Sequence, residues 1–146
     1  MMVGDGPEKA KAEQLCVELG IQDKVIFFGN SHEIDQILSY SDLFLLPSET
    51  ESFGLAALEA MAWSVPVISS NSGGLPEVNF DGVSGYLSNV GDVENMAENA
   101  LKILSDDTIL AAFRQRALEV AMRFDIKNIL PLYEDLYHQA LNKKAK

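Results

Sequence analysis

Short apolar runs separated by segments with helical spacing constrain this chain more than any other feature. "KVIFFG", "DLFLLP" and "VPVISS" are too short for helices and are bounded by glycine, proline, serine or asparagine. Runs of this length, rich in β-branched and aromatic residues, read as strands buried on both faces. "MMVG" reads as the end of a further buried strand and "SGYLSNV" as a short one. Between them, a helix is predicted from Pro7 to Leu19, with proline in its first turn and Gly20 as its stop. Ser31 can cap a second through Tyr40, and Leu55 to Trp63 forms a third. "GGLPEV" is a tight turn with one helical turn. Asp92 caps a helix to Leu104, followed by helices over Asp107–Arg123 and Ile126–Leu141. Strand and helix in alternation predict an α/β fold, a Rossmann-like doubly wound parallel sheet, with its ligand site at the carboxyl ends of the strands. Those ends read "VGDG", "FFGN", "LPSETESFG" and "ISSNSGG", compositions that let backbone approach a ligand closely.

At 146 residues the chain has room for one domain with a real core. No window is apolar enough for a membrane span, and the first residues lack the pattern of a signal peptide. One cysteine, Cys16, excludes an internal disulfide and fits a reducing cytoplasm. His32 and His138 are too far apart in sequence for zinc-ligand spacing. A net charge of −11 argues against nucleic acid as a partner. Between Val25 and Leu101 there is neither lysine nor arginine. The tail "NKKAK" is expected to be disordered. The abrupt opening inside a strand predicts a piece of a larger protein.

The chemistry concentrates in "ETESFGLAALEA". Gly54 stands at the mouth of a helix that follows a strand, where the first amides lack intrahelical partners and suit a phosphate. Glu59 lies just over one turn further in, the one charge in an apolar run from Phe53 to Ile68, where a buried carboxylate is costly unless paired. A carboxylate there would accept from hydroxyls, and vicinal ribose hydroxyls are the usual target in nucleotide-binding folds. Glu51, on the loop before the helix, could accept from hydroxyls beyond the phosphates. Together they describe a sugar-nucleotide site. A plainer reading also fits: Glu59 answers the helix dipole and Glu51 is simply solvated.

Glu51 and Glu59 stand with seven residues between them, inside "PSETESFGLAALEAMAWSVPVISSNSGGLPEV". This stretch closely resembles the family-4 retaining glycosyltransferases of GT-B fold, with their E-x7-E, F-G-L, E-A-M-A, P-V-I and G-G-x-P-E elements. "VGDGPE", "VIFFGN", "YSDLFLLPS", "DGVSGYL" and "VGDVENMAENALKIL" extend the resemblance over nearly the whole chain. It implies the C-terminal, donor-binding part of such an enzyme, with a UDP-sugar as substrate and no metal or other cofactor. Glu51 would be the catalytic residue, touching the donor sugar near its reacting centre, and Glu59 would bind ribose. Backbone amides of Phe53, Gly54 and Leu55 would meet sugar and diphosphate. Phe28, Gly29 and Asn30 would edge the uracil, and Gly4 and Gly6 would line the cleft floor. The wording "FFGNSHEIDQILSYSDLFLLPSETESFGLAALEAMA" carries a closer match to the branch that moves N-acetylglucosamine from UDP-N-acetylglucosamine to L-malate, in bacillithiol assembly.

The family neutralises the donor diphosphate with an arginine and a lysine ahead of the "VGDGP" strand, and acceptor recognition belongs to an N-terminal domain. Neither is in this sequence, so residues 1–146 are expected to form a partial donor-binding domain with little transferase activity by itself. Another acceptor, polysaccharide or lipid, remains open, and a lipid would place the enzyme at the membrane periphery. A UDP-sugar 2-epimerase or a non-catalytic sugar-nucleotide module are the alternatives; the first is not expected to carry E-x7-E with F-G-L. Leu58, Met61 and Trp63 are expected in the core, and Glu77 in a short turn. The last two helices are amphipathic. The final one is expected to cross toward the acceptor domain and to leave an apolar face exposed here, open to weak self-association.

Overall fold

A computed structural model describes residues 1–143. Of the tail expected to be disordered, Lys144, Ala145 and Lys146 lie outside the described residues, whereas Asn142 and Lys143 close the last helix. The chain divides into two compact units, Met1–Ile37 and Leu38–Lys146.

The first unit is a β–α–β element. Strand β1 (Met2–Val3) pairs in parallel with β2 (Phe27–Gly29), and α1 (Lys9–Glu18) connects them. Gly20, at φ +65°, closes α1 where a side chain would be strained. Both strands were expected to be buried, yet Met2, Val3, Ile26 and Phe28 are exposed. A two-stranded sheet with one helix covers too little of itself to bury them. Helix α2 (Ile34–Ser39) spans the boundary of the units, and the Ser31 hydroxyl accepts from the Glu33 amide ahead of it.

In the second unit β3 (Phe44–Leu46), β4 (Val67–Ser70) and β5 (Gly85–Ser88) form a parallel sheet with β4 in the middle. Helices α3 (Leu55–Ala62), α4 (Leu75–Val78), α5 (Val93–Leu104), α6 (Asp107–Arg123) and α7 (Ile126–Lys143) complete it. All four residues of β4 are buried. On one face Ile68 packs with Met96, Ile103 and Phe113, flanked by Leu43, Tyr86, Ala100 and Leu110. Strand alternation puts Val67 and Ser69 on the other face, where the buried Asn79 amide donates to Val67 O at 3.1 Å and Ser69 Oγ at 2.9 Å. Ser84 Oγ donates to Asn79 Oδ1 at 2.9 Å, so the side chain is satisfied at both ends. At Gly85 a Cβ would lie 1.7 Å from Val67 O, so only glycine permits this β4–β5 register.

Met61 is fully buried, as expected of a core residue, but Trp63 is 46% exposed. Helix α3 buries Ala57, Ala60 and Met61, and at 100° per residue that leaves the stripe of Leu55, Glu59 and Trp63 outward. Helix α7 extends two residues beyond its predicted end at Leu141, contains Pro131, and exposes Leu130, Tyr133, Tyr137 and Leu141.

Aspartates cap α5 and α6, the first at the position expected from the sequence. Asp92 Oδ1 accepts from Asn95 N, and Asp106 Oδ1 accepts from Thr108 N at 2.7 Å and Ile109 N at 3.2 Å. These amides hold the Asp106 carboxyl below the usual carboxylate range, led by the bond from Ile109. A folded-state value lower than the unfolded one adds stability that is complete above the unfolded pKa, about 3.9, and is lost as pH falls through the lower folded value. Asp106→Ala should therefore lower Tm at neutral pH, and the gap from wild type should shrink in melts taken below pH ~4. Asn79→Ala should cost about 1–3 kcal/mol by urea denaturation, because buried carbonyl and hydroxyl partners lose their mate.

Candidate active site

Pro47 ends β3, and the chain leaves the sheet as a loop that runs over residues 48–54 into α3. Gly54, at φ +100°, makes the entry turn. A Cβ there would meet Leu75 Cδ2 and Val78 Cγ2, each at 3.0 Å, so the loop closes against α4 only with glycine. The Gly54 carbonyl accepts from the amides of Ala57 and Leu58, starting α3 and leaving its earliest amides at the helix mouth.

A second loop, after β4, grips the first from below. Gly74 N donates to Glu51 O at 3.1 Å, and Ser72 Oγ donates to Glu49 O at 2.8 Å. A Cβ on Gly73 would stand 1.6 Å from Glu51 O, and one on Gly74 would stand 2.7 Å from Ser52 O. The two backbones touch with no space for side chains between them. Above the contact opens a hollow of about 410 Å³, lined by Thr50, Glu51, Ser52, Ser72 and Gly73. Its lining residues include one acid and three that bear hydroxyls, and no lysine or arginine. Glu51 Oε1 accepts a long bond, 3.5 Å, from the amide of Phe53, and the Phe53 ring meets Phe124 edge-on with centroids 6.3 Å apart.

Glu59 corrects one expectation. It is exposed, not buried in a core helix, and carries no burial cost that a partner must offset. Its helix faces the core through Ala57, Ala60 and Met61, and Glu59 points away with Leu55. The arginines of this unit are engaged elsewhere. Arg114 donates to Asp42 and to Ser41 O, Arg116 donates to Gly82 O and lies over Phe113, and Arg123 lies over Phe80. Lys102 Nζ donates to Asn99 Oδ1.

In the first unit Gly4 N donates to Gly29 O at 2.8 Å, so the ends of β1 and β2 are joined at two predicted site residues. Both glycines have positive φ, +116° and +63°. Gly6 N donates to Asp5 Oδ1 at the turn into α1, and Phe28 and Asn30 are exposed. Gly4, Gly6, Phe28, Gly29 and Asn30 thus cluster in the first unit, and Glu51, Phe53, Gly54, Leu55 and Glu59 in the second. Thr50, Ser52, Ser72 and Gly73 were not singled out from the sequence. The signal for the last two was the glycine–serine composition of "ISSNSGG" at the end of a strand.

The model of the family described as "Glycosyl transferases group 1" matches residues 1–120. The chain belongs to the group 1 glycosyltransferases. It is 43% identical to N-acetyl-alpha-D-glucosaminyl L-malate synthase of Bacillus anthracis over 142 residues, which is 97% of this chain and 37% of that protein. Among solved structures it resembles Anabaena HepE in complex with UDP, at TM-score 0.85 and 29% identity over 93% of this chain and 40% of that one. Sucrose-phosphate synthase from Thermosynechococcus elongatus superposes at TM-score 0.83 and 28% identity, over 97% of this chain and 38% of its own. The chain therefore spans about two fifths of the length of the relatives it matches. The likenesses identify the fold as the Rossmann-like C-terminal half of a GT-B glycosyltransferase.

The backbone contact makes Gly73 the least replaceable residue of this group 1 site. Gly73→Ala should cost at least ~2 kcal/mol in chemical denaturation, since positive φ and a carbonyl in the Cβ position are both violated.

Proposed function

We propose that this chain binds a UDP-sugar as the donor half of a retaining glycosyltransferase, without a metal. The observation that carries the reading is the placement of Glu51 at a hollow it shares with Thr50, Ser52, Ser72 and Gly73, with Glu59 outward on the helix that begins beside it. HepE, solved with UDP and with UDP-glucose, supports a donor of that class. The Glu51 carboxylate accepts hydrogen bonds from the donor sugar and stands beside its reacting centre. The amides of Phe53, Gly54 and Leu55 take up sugar and diphosphate oxygens at the mouth of α3. Glu59 accepts from ribose hydroxyls, with Leu55 as apolar neighbour. The segment Phe28, Gly29 and Asn30 borders the uracil, and Gly4 and Gly6 keep the cleft floor free of side chains.

A departing diphosphate develops charge that needs stabilisation, and residues 25–101 contain no cation. We assign that task to an arginine and a lysine elsewhere in the whole enzyme, so residues 1–146 alone transfer little sugar. The 43% identity supports UDP-N-acetylglucosamine as donor and L-malate as acceptor. The acceptor is held by an N-terminal domain, toward which the apolar face of α7 is directed.

Two measurements test this. Ligand-observed NMR should show ribose and uracil protons of UDP in contact with the chain, and Glu59→Ala should weaken UDP binding at least ~10-fold, the scale of losing charge-assisted bonds. Ribose contacts indifferent to Glu59 would overturn that residue's assignment. For the acceptor, the full-length enzyme is given UDP-N-acetylglucosamine with L-malate; turnover on another acceptor and none on malate rejects the narrower assignment.

A further inference from the structure

We infer that Ser70, with Ser72 beyond it, is a positioning residue for Glu51, clamping the β3–α3 loop into its binding shape before any donor arrives. The inference rests on the donor-binding reading above for its functional consequence, though not for its geometry. Ser70 is wholly buried at the end of β4, a position that follows the apolar Val67 and Ile68. Its hydroxyl reaches across to the neighbouring strand's exit, approaching Ser48 O at 2.5 Å and Leu46 O at 3.3 Å. Those carbonyls flank Pro47, where β3 ends and the loop begins. One hydroxyl proton is thus shared between the last carbonyl of β3 and the first of the loop.

An apolar side chain is the default at so buried a place, and a serine there is tolerated only if its hydroxyl is bonded. The bond it makes is to the loop. Ser72 repeats the arrangement two residues on, donating to Glu49 O, and Gly74 N follows with Glu51 O. Carbonyls at 46, 48, 49 and 51 are therefore held from the β4 side. Ser69 is a natural control. It is equally buried, but its hydroxyl accepts from Asn79 on the opposite face. A loop fixed in advance avoids the ordering cost that binding would otherwise carry.

The test compares Ser70→Ala, Ser72→Ala and Ser69→Ala in the chain, well below Tm, with two readouts. Amide hydrogen exchange at Gly74, whose N–H is bonded to Glu51 O, reports loop opening without ligand. UDP titration reports the consequence. Ser70→Ala and Ser72→Ala should each speed Gly74 exchange and weaken UDP binding by about 3–10-fold, the range of one net hydrogen bond. Ser69→Ala should lower Tm while leaving both readouts within about twofold of wild type, because its partners lie away from the loop. Gly74 exchange unchanged in the two loop variants overturns the clamp. Faster exchange with wild-type UDP affinity overturns the positioning role. If the wild-type chain takes up no UDP, the donor-binding reading fails instead, and exchange still decides the clamp. Should Ser70→Ala not fold, Ser72→Ala carries both readouts from a half-buried site.

Discussion

The complete burial of β4 governs the second unit. A strand buried on both faces normally carries only apolar residues, yet half of this one is serine. Each hydroxyl must then find a partner inside the protein, and the two find theirs in opposite directions. Ser69 joins the Asn79 and Ser84 network under the sheet. Ser70 holds the strand exit of β3. The same burial leaves no room beside Val67 for anything but glycine at position 85. Core packing and site geometry are in this respect one problem, solved with the same few residues.

The loop that carries Glu51 is built to be held by its backbone. Glycines at 54, 73 and 74 remove side chains where three segments converge. The cost is conformational freedom in the unfolded chain, and the return is a rigid floor at the carboxyl ends of β3 and β4. Such ends are where ligands bind in open α/β sheets. The lining residues of the hollow include an acid and three that bear hydroxyls, but no lysine or arginine. In the reading proposed above, such a site meets hydroxyls with its lining and anions with helix-mouth amides.

Much of this was legible in the sequence. Element order, parallel pairing and the start of α5 follow from period and capping, because Asp92 and Gly20 signal helix ends by local chemistry alone. Exposure was harder. Glu59 and Trp63 share a run so apolar that burial seemed required, but an eight-residue helix buries one stripe, and both fall off it. The exposed β1 and β2 carry side chains typical of buried strands, and composition cannot say how much cover a short sheet will receive. Contacts such as Gly73 against Glu51 O were invisible for another reason. They join segments about twenty residues apart, and only the folded register of β3 on β4 brings them together.

The grip of Gly73 and Gly74 on residues 51 and 52 also separates place from identity. What is fixed is the carbonyl of Glu51 and the path of the chain around it; the carboxylate meets the Phe53 amide and takes no part in that grip. Side chains at 50 and 52 can therefore be replaced without disturbing the scaffold beneath them, while the proposed task at the donor holds Glu51 in place. In the donor-binding reading, the fold of this loop and the choice of ligand are thus set by different atoms of the same residues.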